Sequence, residues 1–352
     1  MSYQITLKTS GKTFTANSDE TILEAANRQG INLPYGCKNG ACGSCKGKVE
    51  CGQVTHGNHN ERALSPEDAL NGFALFCCAK AQTDLTIDVR EVEGLGDIPV
   101  KKIPCRVSSL ERVSDDVVIV KLQLPATEKF QFIAGQYIEF LLKDKRRAYS
   151  LASAPHEEGP IELHIRHMPG GSFTDFVFGT SESGTVMKEK DILRFEGPLG
   201  SFFLREDSDK PIIFIASGTG FAPIKGIIED IRHKGIKRPI TLYWGGRRPK
   251  DFYHDDLCKA WEKEIPGFKY VPVASDCLPE DVWAGRTGFV HLAAAADFPD
   301  MSGHQVYACG APIVVESAKN DFVANCKLPE AEFYADAFTS AADLAKKAAQ
   351  TS

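Results

Sequence analysis

The sequence predicts a multidomain protein of α+β and α/β class, with a small β-rich domain, an antiparallel β-barrel domain and a doubly wound parallel-sheet domain in series. Three observations carry this prediction. Residues 33–54 are dense in Gly and Cys, six short strand-like runs with turn signals between them fill 105–196, and beyond Pro211 continuous apolar runs alternate with helical stretches. At roughly 100 to 200 residues per domain, the chain's 352 residues have room for two or three cores. The boundaries read as 1–93, a linker at 94–103, then 104–206, 207–339, and a tail at 340–352.

The elements follow in order. Alternating apolar residues at 3–7 and 12–15, separated by Ser10-Gly11, predict a hairpin. A short helix over 20–27, capped by Asp19 or Ser18, places Ile22, Leu23, Ala25 and Ala26 on one face and stops at Gly30. A strand at 85–89 closes the block near Glu93, and GLGDIPVKKIP at 94–104 lacks periodicity, as a linker does. Strands are then expected at 105–110, 117–124, 137–142, 148–152, 161–167 and 192–196. The parallel sheet starts with the apolar run 212–216, a Gly turn and a helix to Arg232, and continues with strands at 240–244, 270–273 and 305–308. The Ala- and Lys-rich tail reads as a helix, and the segment TSESGT at 180–185 looks longer than the turn expected there.

Composition narrows the function. With 43% hydrophobic and 25% charged residues the chain is globular, and 41 Lys plus Arg against 47 Asp plus Glu leaves no positive field for nucleic acid. The N-terminus has no apolar leader and no apolar run reaches the roughly 18 residues of a membrane span, so a cytoplasmic protein is expected. Eleven cysteines, four of them within 37–51, then argue for metal or redox chemistry rather than disulfides.

Cys37, Cys42 and Cys45 are spaced C-x4-C-x2-C, and Cys77 follows after 31 intervening residues. This is the spacing of a plant-type 2Fe-2S cluster, in which one tight loop supplies three thiolates and a distant residue the fourth. Gly36, Gly40 and Gly43 let backbone N–H groups approach the cluster sulfides. Cys78 is an alternative to Cys77, Cys51 reads as non-ligating, and a zinc site is disfavoured because only one C-x2-C pair is present. The block LPYGCKNGACGSCKG, followed by FALFCCA, resembles the β-grasp plant-type ferredoxin domains fused to flavin reductases. In those ferredoxins the last ligand is followed by one variable residue and then Ala, which implies Cys77. Lys38, Lys46, Lys48 and Lys80 flank the ligands, and a mixed or basic rim that docks a partner's acidic surface is expected.

The stretch RAYSLAS at 147–153 resembles the RxYSxxS motif of the ferredoxin-NADP reductase superfamily. Arg147 can clamp a pyrophosphate, Tyr149 can stack on an isoalloxazine, and Ser150 can hydrogen-bond near the flavin N5 where hydride arrives. Gly170, Gly171, Ser172 and Thr174 open a predicted helix whose N-terminus suits a phosphate. GPLGSF at 197–202 matches a third stretch of the superfamily, and the set implies FAD.

SGTGFAP at 217–223 is a strand end, a Gly turn and a helix start, with Gly218, Thr219 and Gly220 in the turn and Pro223 where a Rossmann fingerprint would have its third Gly. This form resembles the superfamily's seat for nicotinamide dinucleotides. YACGAP at 307–312 repeats the pattern, and the resemblance places Cys309 beside the nicotinamide C4, with Gly310 at the turn. Arg247, after the strand at 240–244, favours NADPH on charge, yet NADH-using relatives carry Arg at about this place, so the reading is NADH with NADPH left open. Phe338 stands where the superfamily places an aromatic on the flavin's second face, although this chain runs 14 residues further.

The full chain resembles reductases of the CDP-6-deoxy-glucoseen type and reductase components of multicomponent oxygenases. The resemblance implies an enzyme that passes electrons from NAD(P)H through FAD to a 2Fe-2S cluster and then singly to a partner protein, a dehydratase or an oxygenase component. Ser150 and Cys309 are the implied catalytic residues. A redox sensor and a reductase releasing free reduced flavin are the alternatives.

Overall fold

The structure, a computed structural model, describes residues 1–92, 94, 98–143 and 145–338. The whole predicted tail and residues 95–97 of the predicted linker therefore lie outside the described residues. Among the described residues two compact units are present: residues 1–92 with Gly200–Phe202 and 336–338, and Ile98–Leu199 with Phe203–Ala335.

In the first unit a five-stranded sheet runs in the order Thr13–Asn17, Ser2–Leu7, Leu85–Asp88, Lys46–Cys51, Phe73–Leu75. The hairpin is present, with Ile5 opposite Phe14, and Leu85 pairs in parallel with Ile5. Helix Ile22–Arg28 buries Ile22, Leu23, Ala25 and Ala26 in the core that also holds Phe76 and Ile87. Its cap is Thr21, not Asp19 or Ser18: Thr21 Oγ1 accepts from the Glu24 backbone N–H at 3.2 Å, and the Glu24 carboxylate accepts from the Thr21 N–H at 2.8 Å. This T-x-x-E capping box satisfies two end donors at once, which neither earlier residue can do.

The second unit contains an antiparallel six-stranded sheet in the order Arg146–Ser150, Tyr137–Leu141, Ile192–Leu199, Lys101–Arg112, Val117–Gln123, Ile161–Arg166. The Lys101–Arg112 strand starts four residues before the expected 105, because pairing with Ile192–Leu199 runs through Pro104 as far as Lys101 opposite Gly197. Ile103, Val118, Val120, Phe140, Leu163 and Phe195 form its core. One antiparallel bridge, Leu151 to Leu163, joins the chain just past the first edge strand to the last strand.

A second six-stranded sheet has the order Arg286–Thr287, Phe268–Ala274, Ile240–Gly246, Ile212–Ser217, Gln305–Gly310, Phe333–Ala337. Its first five strands pair in parallel. The chain begins at Ile212–Ser217, proceeds outward to one side and returns to the other side at Gln305–Gly310. Strand order thus reverses beside Ile212–Ser217, and in open parallel sheets ligands bind beyond the carboxyl ends of the strands at such a reversal. Helix Phe221–Lys234 follows, buries Ile224, Ile227, Ile228 and Ile231, and ends at Gly235 in the left-handed conformation.

Candidate functional site

The cysteine loop is shaped by its glycines. Gly40 and Gly43 have φ of 75° and 77°, and a Cβ on Gly40 would lie 2.8 Å from the Asn58 carbonyl and 2.9 Å from Cys78 Sγ. The loop turns its N–H groups on its own sulfurs: Cys37 N–H donates to Cys42 Sγ, while Ala41 and Cys42 N–H donate to Cys37 Sγ, each at 3.3 Å. Hydrogen bonding from Cys42 lowers the Cys37 thiol, and hydrogen bonds with Cys45 and Cys78 hold Cys77 down at about 3. The partners respond in reverse, Cys42 and Cys45 being pushed far up by the same bonds and by burial. Cys37 with Cys42, and Cys45 with Cys77, therefore form two bonded pairs of neighbouring sulfurs into which backbone donors point. Such a set fits an iron-sulfur cluster, whose irons supply the positive charge that buried thiolates require.

Cys51 is exposed, and Cys78 Sγ lies 3.5 Å from Cys77 Sγ. Of the flanking lysines, Lys46 pairs with Asp68 at 3.2 Å, Lys48 with Glu50 at 3.9 Å, and Lys80 donates to the Asp19 carbonyl at 2.7 Å. Lys38 lies over the Tyr35 ring at 5.0 Å. Carboxylates of the same unit thus offset part of the expected basic rim. Sequence reasoning missed Asp336, a carboxyl pushed up to about 7 by burial and by the nearby Cys42. No local signal could have joined it to a loop about three hundred positions earlier.

Strand alternation places Arg147 and Tyr149 on one face of Arg146–Ser150 and Ser150, which is buried, on the other. The Tyr149 ring lies 5.5 Å from Phe173 and 5.9 Å from Phe140. Phe173 belongs to helix Ser172–Phe178, so this aromatic contact brings the Arg147 strand and the Gly170 turn together. Gly170 has φ 81°, and Thr174 Oγ1 donates to the Met168 carbonyl at 2.9 Å, which fixes the turn. The helix has no side-chain cap, and the Asp175 carboxylate in its first turn accepts from the Gly170 backbone N–H. Arg146 is neutralised by Glu139 and Glu196, whereas Arg147 has no carboxylate partner among the described residues.

At the strand-order reversal two glycine turns meet backbone to backbone. A Cβ on Gly220 would lie 2.1 Å from the Cys309 carbonyl oxygen, and one on Gly310, at φ 134°, 2.5 Å from the Ser217 carbonyl oxygen. Trp244 stacks on Phe221 at 4.0 Å and donates its indole N–H to the Gly218 carbonyl at 3.0 Å. Thr219, Pro223 and Cys309 are buried. Arg247 lies at the end of the adjacent strand, and Phe338, half-buried, follows Phe333–Ala337.

The helix after the turn sits on the chain that follows the Arg147 strand. Lys225 Nζ donates to the Ala152 carbonyl at 3.2 Å and pairs with Glu162 at 3.3 Å, and His164 bridges Glu162 at 3.0 Å and Tyr253 OH at 2.9 Å. A Cβ on Gly226 would lie 2.8 Å from the Ser153 carbonyl oxygen. Gly226→Ala is therefore expected to push the helix off this chain and cost about 1–3 kcal/mol. Thermal denaturation of the two proteins checks this, and an unchanged melting temperature would contradict the close approach.

Comparison with known proteins agrees with this arrangement. The chain matches the 2Fe-2S iron-sulfur cluster binding domain over residues 5–82, the oxidoreductase FAD-binding domain over 104–204 and the oxidoreductase NAD-binding domain over 214–320. These define an iron-sulfur flavoprotein oxidoreductase that uses a nicotinamide nucleotide. Among similar proteins, the CDP-6-deoxy-L-threo-D-glycero-4-hexulose-3-dehydrase reductase of Yersinia pseudotuberculosis is 41% identical over 96% of this chain and 99% of its own length. The phenol hydroxylase P5 protein of Acinetobacter pittii is 37% identical over 97% and 96%. The Amycolatopsis cytochrome P450 reductase GcoB superposes with a TM-score of 0.75 at 32% identity, covering 96% of this chain and 99% of that one. The chain belongs to the family of ferredoxin-NADP reductase-type flavoproteins that carry a plant-type 2Fe-2S ferredoxin domain. No helix among the described residues is long and apolar enough to cross a membrane.

Proposed function

We propose that this reductase supplies single electrons to a sugar-nucleotide dehydrase of the kind named for its Yersinia relative. The observation that carries the choice is 41% identity spanning 96% of this chain and 99% of that relative. The oxygenase relatives, at 37% and below, keep an oxygenase component as the second reading. The N-terminal sheet is read as a β-grasp, the antiparallel sheet as a barrel closed at the Leu151–Leu163 bridge, and the parallel sheet as doubly wound. We read the protein as cytoplasmic, with neither nucleic acid nor membrane as partner.

Bound to this chain, a nicotinamide would supply hydride chemistry, FAD the exchange between two-electron and one-electron chemistry, and a 2Fe-2S cluster one-electron chemistry. The chain's part is to bind and orient. Cys37, Cys42, Cys45 and Cys77 hold the cluster. Arg147, the Gly170–Gly171 turn, Ser172 and Thr174 receive the flavin's pyrophosphate, Tyr149 its ring, and Ser150 the region of N5. Gly218, Thr219, Gly220 and Pro223 seat the dinucleotide at the start of helix Phe221–Lys234, and Gly310 keeps the Cys309 thiol beside the nicotinamide. Phe338 covers the second flavin face.

The test is anaerobic titration of the purified holoprotein with NADH and with NADPH, followed by flavin and iron-sulfur absorbance. Electron uptake exceeding what the flavin alone can hold is expected. Protein holding both cofactors that bleaches with neither nucleotide would overturn the reading. Reduction of a purified sugar-nucleotide dehydrase faster than of an oxygenase component then decides the acceptor.

A further inference from the structure

The loop after strand Ile240–Gly246 reads GRRPKD and looks, on charge, like a 2'-phosphate site. The end of this strand is where a doubly wound sheet meets the adenosine ribose. In the structure every cation of the loop is answered by a carboxylate. Arg247 reaches Asp116 from Nη2 at 2.9 Å and Asp251 from Nε at 3.2 Å, and its backbone N–H donates to Asp251 at 2.9 Å. Arg248 makes a two-pronged pair with Asp281, at 2.6 Å and 2.9 Å, and Lys250 pairs with Asp115 at 2.5 Å. A cavity of about 380 Å³ lies at this place, lined by four aspartates against two arginines and a lysine.

Asp116 is the centre of this lattice, and it does not belong to the parallel sheet. It precedes strand Val117–Gln123 of the antiparallel sheet, bonds Ser114 Oγ at 3.2 Å, and its carbonyl accepts from His167 N–H at 2.8 Å. The same carboxylate oxygen that takes Arg247 also takes Arg166 Nε at 2.9 Å, and Arg166 Nη1 would be 3.1 Å from a Cβ on Gly218. Burial raises the Asp116 carboxyl, and Arg166 and Arg247 more than offset that, so it stays charged at neutral pH. A 2'-phosphate, carrying close to two negative charges, would have to pull Arg247 from both aspartates and then lie against them. A 2'-hydroxyl meets no such obstacle, because it can donate to a carboxylate already in place.

We propose that Asp116, on the antiparallel sheet, sets preference for NADH over NADPH by engaging Arg247 and presenting negative charge to a 2'-phosphate. The proposal rests on the reading of the protein as a nicotinamide-dependent reductase.

The test compares kcat/KM for NADH and NADPH, with ferricyanide as acceptor, in the full-length holoprotein and in Asp116→Asn, which keeps the shape and removes the charge. The parent is expected to prefer NADH. Asp116→Asn should lower the NADH-to-NADPH preference ratio by about 10-fold or more through a gain with NADPH, and adding Arg247→Ala should cancel that gain. Equilibrium binding of 2',5'-ADP against 5'-AMP should shift in parallel, a change that general loosening would not produce. Asp116→Ser serves as a second variant if Asp116→Asn fails to retain FAD. An unchanged ratio in FAD-loaded variants, or a parent that prefers NADPH, overturns the proposal. Reduction of the parent by neither nucleotide overturns both this proposal and the reading beneath it.

Discussion

Cys42→Ala is expected to abolish the 2Fe-2S absorbance and cut NADH-driven cytochrome c reduction by about 100-fold or more, with ferricyanide reduction kept within a few fold. Cys42 Sγ receives the Cys37 N–H at 3.3 Å, so Cys42→Ala removes this contact as well as one proposed ligand, while the residue 42 backbone N–H that bonds Cys37 Sγ remains. Ferricyanide can take electrons from the flavin directly, whereas a one-electron protein acceptor is served through the cluster. The two assays therefore separate loss of the cluster from loss of the flavin. Cys77 and Cys78 make the internal comparison. Their sulfurs are 3.5 Å apart, and it is the Cys77 sulfur that bonds Cys45 and the Gly40 backbone of the cysteine loop. Cys77→Ala should lose the cluster and Cys78→Ala should keep it. A Cys42→Ala protein with full cluster absorbance, or the reverse outcome for the adjacent pair, would refute this ligand assignment.

What the sequence revealed and what it hid divide along the range of the interactions. Spacing alone pointed to the cysteine loop, because three proposed ligands lie within nine consecutive residues, where Lys38, Gly40 and Gly43 take positive φ. The apolar run at 212–216 and the Gly turn after it were legible for the same reason. The helix cap was local too, and the T-x-x-E signature at Thr21 was present to be read in place of Asp19. Asp336 and Asp116 could not be found this way. Each acts on a partner more than a hundred positions distant, and no pattern of period 2 or 3.6 connects a carboxylate on one sheet to an arginine on another. Arg247 shows the cost. Its charge was visible, but charge is not availability, and the carboxylates that engage it come from 116 as well as 251.

Gly220→Ala should slow hydride delivery by about 100-fold while leaving FAD and cluster content intact, since a displacement on the order of 1 Å at a reacting geometry costs that much. The added methyl would lie 2.1 Å from the Cys309 carbonyl oxygen and 2.7 Å from the Gly310 nitrogen, inside any tolerable contact. Neither side can yield easily. Cys309 is fixed in register opposite Ala216 in the parallel pair, and the turn is held from the other side by the Trp244 indole on the Gly218 carbonyl at 3.0 Å. The strain must move the turn or the Cys309 loop, and both are proposed to seat the nicotinamide. Anaerobic stopped-flow measurement of flavin bleaching by NADH reads the loss directly, and chemical reduction of the same protein by dithionite shows that the flavin itself remains reducible. Bleaching by NADH at the parent rate in Gly220→Ala would mean that hydride transfer does not depend on this backbone contact, and the assignment of the Gly218–Gly220 turn would fall with it.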